Sequence, residues 1–131
     1  MEIKVTFPGG QKVNAEIENH VIATDQNPDS GGKGSAPEPF MLFLASIATC
    51  AGIYVKRFCD FREIPSEGIS IVQRHEFGTT KKGLSKVTID IQVPPDFPEK
   101  YYAALIRLAD KCSVKRTIFD PPEFEITTSV K

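Results

Sequence analysis

Cysteine and histidine are scarce in this sequence, which has three cysteines, two histidines and no tryptophan among 131 residues. Three cysteines are too few for a disulfide-stabilised scaffold. His20 and His75 show neither H-x-x-x-H nor C-x-x-C spacing, which zinc sites usually have. The composition therefore predicts neither a disulfide-rich fold nor a zinc centre, and we expect no bound metal or cofactor.

An excess of charge of one sign is also missing. Lysine and arginine together number 16 and the acidic residues 17, giving a net charge of −1. This balance favours no basic nucleic-acid-binding face. The first residues, MEIKV, lack the apolar run of a secretory signal, so we expect a cytoplasmic protein with reduced thiols.

The length of the chain predicts a single domain over residues 1–131, large enough for its own hydrophobic core. The longest uncharged stretch covers residues 39–55. It is short for a membrane helix and contains Ser46 and Thr49, so we expect no membrane partner. Pro39 suits a first helical turn, and apolar side chains surround the helical wheel. We predict a central helix over residues 39–62, buried on most sides.

Alternating apolar and polar residues predict strands on both sides of this helix. A second helix is predicted after Asp96, which forms the capping-box pattern D-x-x-E with Glu99. The predicted strands cover residues 3–7, 13–17, 20–24, 69–77, 87–93 and 124–130. The fold class is therefore α+β, with antiparallel sheets around a long buried central helix.

The three cysteines differ in their predicted surroundings. Cys50 and Cys59 lie nine residues apart on one helix, and about 900° of rotation places them on opposite faces. Cys112 lies on the buried stripe of the second helix or just past its end. It is the only other cysteine that could approach Cys50. On spacing alone, an inert buried thiol is the commoner interpretation of Cys50 and of Cys59.

Two segments around the cysteines resemble the OsmC/Ohr family. Residues 39–50, PFMLFLASIATC, resemble the family pattern P-x-E-L-L-L-A-A-L-G-G-C. Residues 108–114, LADKCSV, resemble its second cysteine segment, A-x-x-C-P-V/I-S. The resemblance implies an intertwined homodimer whose peroxidase members reduce organic hydroperoxides. It makes Cys50 the attacking cysteine and Cys112 the resolving cysteine, with an external dithiol of lipoyl or thioredoxin type as reductant.

The chain departs from the family pattern at three places. The helix glutamate of the family corresponds to Met41, and Glu38 lies one turn earlier. The family's loop arginine has no counterpart between residues 11 and 40, where Lys33 is an available cation. Arg57 is a second cation, two turns beyond Cys50. Glu38, Lys33 and Arg57 are therefore the candidate supporting residues, and the proline after the second cysteine is Ser113.

Three functions remain open at this stage. The first is a thiol-dependent peroxidase acting on organic hydroperoxides in an oxidative stress response. The second is a non-catalytic protein that binds small apolar ligands and retains remnant cysteines. The third is a thiol enzyme that acts on a different electrophile.

Overall fold

The computed structural model describes residues 1–79 and 83–131, which form two compact units, residues 1–45 and 46–131. The single-domain assignment stays a prediction. The sequence also predicts a turn at residues 79–83, and residues 80–82 of that turn lie outside the described residues. The strands are β1 (Ile3–Gly9), β2 (Lys12–Ile17), β3 (His20–Thr24), β4 (Ser70–Phe77) and β5 (Leu84–Gln92). The helices are α1 (Pro39–Phe61), α2 (Tyr102–Ala109) and α3 (Ser113–Phe119).

The first unit contains an antiparallel sheet in the order β1-β2-β3. Val5 pairs with Ala15, and Val13 pairs with Thr24. These three strands match the predicted segments. Alternating apolar and polar side chains indicate each strand, and the Pro-Gly-Gly turn indicates the hairpin that joins the first two.

The loop after β3 is organised around the carboxylate of Asp25, which is 1% exposed. Asp25 accepts hydrogen bonds from Ser35 Oγ at 2.6 Å and from the backbone N–H groups of Ser35 at 3.0 Å, Gln26 at 2.8 Å and Lys33 at 3.3 Å. The side chain of Ser35, followed by its backbone N–H, lowers the pKa of Asp25 to about 2. Because the pKa of Asp25 is lowered on folding, its hydrogen bonds stabilise the folded protein fully at a pH above the ordinary carboxyl pKa. This stabilisation is lost as the pH falls through about 2.

The second unit has its core between α1, the β4–β5 hairpin and α2. Ile71 pairs with Ile91, and Gln73 pairs with Ile89, as the two alternating segments predict. Seven buried residues define the core cluster: Ala51, Val55, Phe58, Cys59, Phe97, Leu105 and Ala109.

Helix α1 is less buried than the sequence predicts. Its buried side chains form one stripe, at positions 47, 51, 55, 58 and 59. The prediction of burial on most sides is therefore wrong for the single chain, in which Phe40, Met41 and Ile53 remain about half exposed. The elements of one chain cover only one face of a helix that is apolar all round.

Length and composition alone would allow Pro39–Phe61 to cross a membrane. The core helix of a soluble protein passes the same test, and α1 carries Lys56, Arg57 and Asp60 near its end. Lys56 forms an ion pair with Asp60, one helical turn further on.

The C-terminal third differs from its predicted structure in three ways. Asp96 does not cap a helix, because Phe97 precedes Pro98 and is thereby disfavoured in helical conformation. The chain instead enters a 3-10 turn, Glu99–Tyr101, and then α2. Helix α3 was not predicted. The strand predicted over residues 124–130 is absent from this described part of the chain, which has no regular structure after α3.

Candidate active site at Cys50 and Cys112

The structure brings Cys50 and Cys112 together within the second unit. Cys50 lies near the middle of α1, and Cys112 lies in the joint between α2 and α3. The side chain of Cys112 is 1% exposed and lies close enough to Cys50 to lower the pKa of the Cys50 thiol. Its Sγ also lies 4.0 Å from the carbonyl oxygen of Ile47, a second acceptor for the S–H. Both thiols are free in the structure.

The two thiols have opposite pKa shifts. Hydrogen bonds from Cys112, then from the Ser113 side chain and, more weakly, from the backbone N–H groups of Val114 and Ser113, lower the pKa of Cys50 to about 7. Burial, together with the hydrogen bond to Cys50, raises the pKa of Cys112. The first proton therefore leaves Cys50, while Cys112 stays protonated and donates to the resulting thiolate.

Cys59 occupies a different environment. It is completely buried in the core cluster, and burial raises the pKa of its thiol. This placement confirms that Cys50 and Cys59 face different sides of α1. A buried thiol of raised pKa is an inert packing residue.

The three candidate supporting residues lie at defined places. Glu38, directly before α1, accepts a hydrogen bond from Asn27 Nδ2 at 2.9 Å. The backbone N–H of Lys33 donates to Asp25 in the loop of the first unit. Arg57 is exposed on α1, and within residues 1–79 and 83–131 the lowered Cys50 pKa is caused by hydrogen bonds rather than by a cation. The supporting roles of Glu38, Lys33 and Arg57 stay predictions.

Ser113 is the residue at this site that sequence reasoning missed. Its Oγ lies 3.5 Å from Cys50 Sγ. The sequence identified it only as a departure from the family pattern. The signal that could have found it is its position next to Cys112, because any element that carries Cys112 to Cys50 also carries its neighbour there.

A cavity of about 690 Å³, with both apolar and polar lining residues, lies beside this site in the second unit. Ile47, whose carbonyl faces Cys112, is one of its lining residues. The opposite walls come from β5, α2 and α3. Representative lining residues are Val87, Ile89, Ile106, Ala109, Ile118 and Phe119. Asp110 and Lys115 form an ion pair among the lining residues, so the cavity also has a polar edge.

A model of the OsmC-like protein family matches residues 32–127, which include both cysteines of the pair. The chain belongs to the OsmC-like family. This membership confirms the resemblance seen in the two cysteine segments. No curated protein matches the sequence.

Solved structures agree with this assignment. A putative osmotic stress induced and detoxification response protein from Psychrobacter arcticus 273-4 is 26% identical, with a TM-score of 0.74 over 88% of this chain and 85% of that one. An OsmC-like protein from Mycoplasma pneumoniae is 14% identical, with a TM-score of 0.71 over 92% and 87%. An organic hydroperoxide resistance protein OsmC from Legionella pneumophila is 19% identical, with a TM-score of 0.57 over 90% and 89%. The last two show similarity of fold.

The opposite pKa shifts predict a reactivity order for this OsmC-like chain. We expect iodoacetamide to label Cys50 first, with a rate that rises with pH and is half-maximal near pH 7. Cys112 and Cys59 should react only at higher pH or after unfolding. Mass spectrometry of labelled peptides between pH 5 and pH 10 measures this order. Faster labelling of Cys112 would contradict it.

Proposed function

We propose that this OsmC-like protein is a thiol-dependent peroxidase that reduces organic hydroperoxides. The observation that carries the proposal is the pairing of a half-buried thiol of lowered pKa, Cys50, with a nearby buried thiol, Cys112. A reactive thiolate beside a resolving thiol is the arrangement that two-step peroxide reduction needs. The family match supports it, since one structural relative is described as an organic hydroperoxide resistance protein.

The proposed reaction begins at Cys50. Its thiolate attacks the terminal peroxide oxygen, an S–O bond forms and the O–O bond breaks. The sulfur is oxidised to a sulfenic acid, and the alkoxide leaves and takes up a proton as an alcohol. Cys112 then attacks the Cys50 sulfur, which releases water and forms a disulfide. An external dithiol of lipoyl or thioredoxin type reduces that disulfide and becomes oxidised itself.

The cavity supports an apolar substrate. Part of its wall is aliphatic and aromatic, formed by residues such as Val87, Ile106 and Phe119, and pockets of this size hold small ligands through such surfaces. Hydrogen peroxide would gain little from these walls, whereas an alkyl or aryl group can be buried against them. We therefore infer a preference for fatty or aromatic hydroperoxides, in a cytoplasmic response to oxidative stress.

The same cavity also favours a second function, the non-catalytic binding of small apolar ligands. Peroxide consumption separates the two functions. We expect the protein to consume cumene hydroperoxide in the presence of dihydrolipoamide, and to consume hydrogen peroxide more slowly. Cumene hydroperoxide lost no faster than in a protein-free mixture, together with saturable binding of cumyl alcohol, would favour the binding function.

Cys112→Ser should leave one turnover, because the sulfenic acid on Cys50 then has no resolving thiol. Dimedone, which reacts with sulfenic acids, should label Cys50 in this variant after one equivalent of peroxide. Wild-type protein should instead yield a Cys50–Cys112 disulfide on peptide mapping. Continued multiple turnover by the variant would remove Cys112 from the mechanism.

We further propose that the protein is an intertwined homodimer. Large apolar side chains stay exposed along α1 and beyond α3, among them Ile53 at 43% and Phe124 at 82%. A second copy would bury these faces without requiring another kind of partner. We expect sedimentation equilibrium at micromolar concentration to give twice the chain mass.

Ile53→Lys provides a test of the face involved. A lysine at the centre of an apolar interface leaves a buried unpaired charge, so this variant should shift towards the monomer. Ile53→Met keeps an apolar side chain of similar size and serves as the control. Wild-type protein that sediments as a stable monomer would contradict the dimer.

A further inference from the structure

We propose that Ser113 stabilises the Cys50 thiolate through its hydroxyl. This inference deepens the proposed peroxidase function and rests on it for its catalytic meaning. It makes Ser113 a residue that contacts the reacting sulfur, rather than a neutral replacement for the family's proline.

The contact itself is direct. Ser113 Oγ lies 3.5 Å from Cys50 Sγ, within hydrogen-bonding range for a sulfur acceptor. Either group can donate while Cys50 is a thiol. Once Cys50 loses its proton, the hydroxyl must be the donor, because a thiolate can only accept. A hydrogen bond made to the charged form favours that form.

The backbone around Ser113 is fixed by α3. The hydroxyl of Thr117 donates to the Ser113 carbonyl at 2.8 Å, and the N–H of Arg116 donates to the Cys112 carbonyl at 3.0 Å. Ser113 is also the residue directly after Cys112, which is held by its own burial. The hydroxyl therefore reaches Cys50 from an ordered helical turn.

Ser113 also differs from Cys112 in what happens to it during turnover. Cys112 makes the larger contribution to the lowered Cys50 pKa, but its sulfur is consumed when the disulfide forms. The Ser113 hydroxyl is not consumed, so it is present again as soon as the disulfide is reduced. A proline at position 113 would lack both this hydroxyl and the backbone N–H that also favours the thiolate.

The test compares Ser113→Thr with Ser113→Val in a Cys59→Ser background. Threonine and valine have nearly the same shape, but only threonine has a hydroxyl. The pH dependence of Cys50 alkylation by monobromobimane gives the pKa of Cys50, and thiolate absorbance near 240 nm gives it independently. Ser113→Ala adds a variant with no bulk at the β-carbon.

We expect Ser113→Val and Ser113→Ala to raise the Cys50 pKa and Ser113→Thr to keep it near the wild-type value. A rise of about one unit would lower the thiolate fraction at pH 7 roughly fivefold. Thermal unfolding monitors whether each variant remains folded. Equal pKa values in the threonine and valine variants would overturn the proposal, whatever their stability.

The thiol measurement and the peroxide assay can fail separately. A raised pKa in Ser113→Val, in a protein that consumes no hydroperoxide, would support the role of Ser113 and refute the peroxidase. Normal peroxide turnover, together with an unchanged Cys50 pKa in all three variants, would support the peroxidase and refute the role of Ser113. Loss of turnover at pH 7 that recovers at pH 9 in Ser113→Val would support both.

Discussion

Cys50→Ser should reduce the consumption of cumene hydroperoxide to the rate of a protein-free mixture. The serine hydroxyl is not ionised near neutral pH and does not form a sulfenic acid, so no first step can occur. Cys50 is the thiol whose pKa is lowered to about 7 by hydrogen bonds from Cys112 and Ser113. Spectrophotometric measurement of residual hydroperoxide, with dihydrolipoamide as reductant, provides the rate.

Cys59→Ser is the matched control for that experiment. It removes one thiol from the same helix, but this thiol lies in the core with a raised pKa. Its turnover should equal that of wild type at a temperature where both proteins are folded. Equal rates for Cys50→Ser and wild type would refute the enzymatic function.

Gly32→Ala should strongly destabilise the loop that follows β3. A Cβ at position 32 would lie 2.0 Å from the carbonyl oxygen of Gln26, far inside van der Waals contact. The backbone must move, and the N–H of Gly34 that donates to this carbonyl at 2.9 Å would move with it. We expect a loss of more than about 2 kcal/mol in the free energy of unfolding, measured with urea.

Gly52→Ala is the control, because it adds the same methyl group to the middle of α1. The new Cβ would meet Ile71 Cδ1 at 3.7 Å, which is an ordinary contact. Alanine is a better helix former than glycine, by up to about 1 kcal/mol. The two substitutions should therefore have opposite signs. Similar stability of Gly32→Ala and wild type would show that the chain does not need this close backbone approach.

Local patterns were sufficient to predict β1 to β5 and α1. Val87, Ile89 and Ile91 alternate with polar residues, and the structure pairs their strand with β4 in antiparallel orientation, as expected. The placement of Cys50 and Cys59 on different sides of α1 follows from helical geometry alone. The proximity of Cys50 and Cys112 came from the family resemblance, because spacing fixes no distance between elements far apart in sequence.

Helix α3 and the end of the chain were predicted wrongly, because their structure depends on contacts with residues distant in the sequence. Ser113–Phe119 contains the β-branched residues Val114, Thr117 and Ile118, whose local preference for helix is weak. Residues 124–130 alternate as a strand would, but alternation describes two faces and does not supply a neighbouring strand to pair with. Gly32 permits close packing of the chain against Gln26, a tertiary contact that no local pattern indicated.

With Cys112 at the joint between α2 and α3, the proposed Cys50–Cys112 disulfide would couple the redox state to the unfolding equilibrium. A bond between Cys50 and Cys112 closes a loop of about 60 residues, which in the chain-entropy model restricts the unfolded ensemble by about 4 kcal/mol. Oxidised molecules would then melt at a higher temperature than reduced ones. Protein exposed to peroxide would become more resistant to heat and proteolysis until a dithiol reductant reduced the disulfide. Its degradation half-life would therefore depend on how recently it had been oxidised.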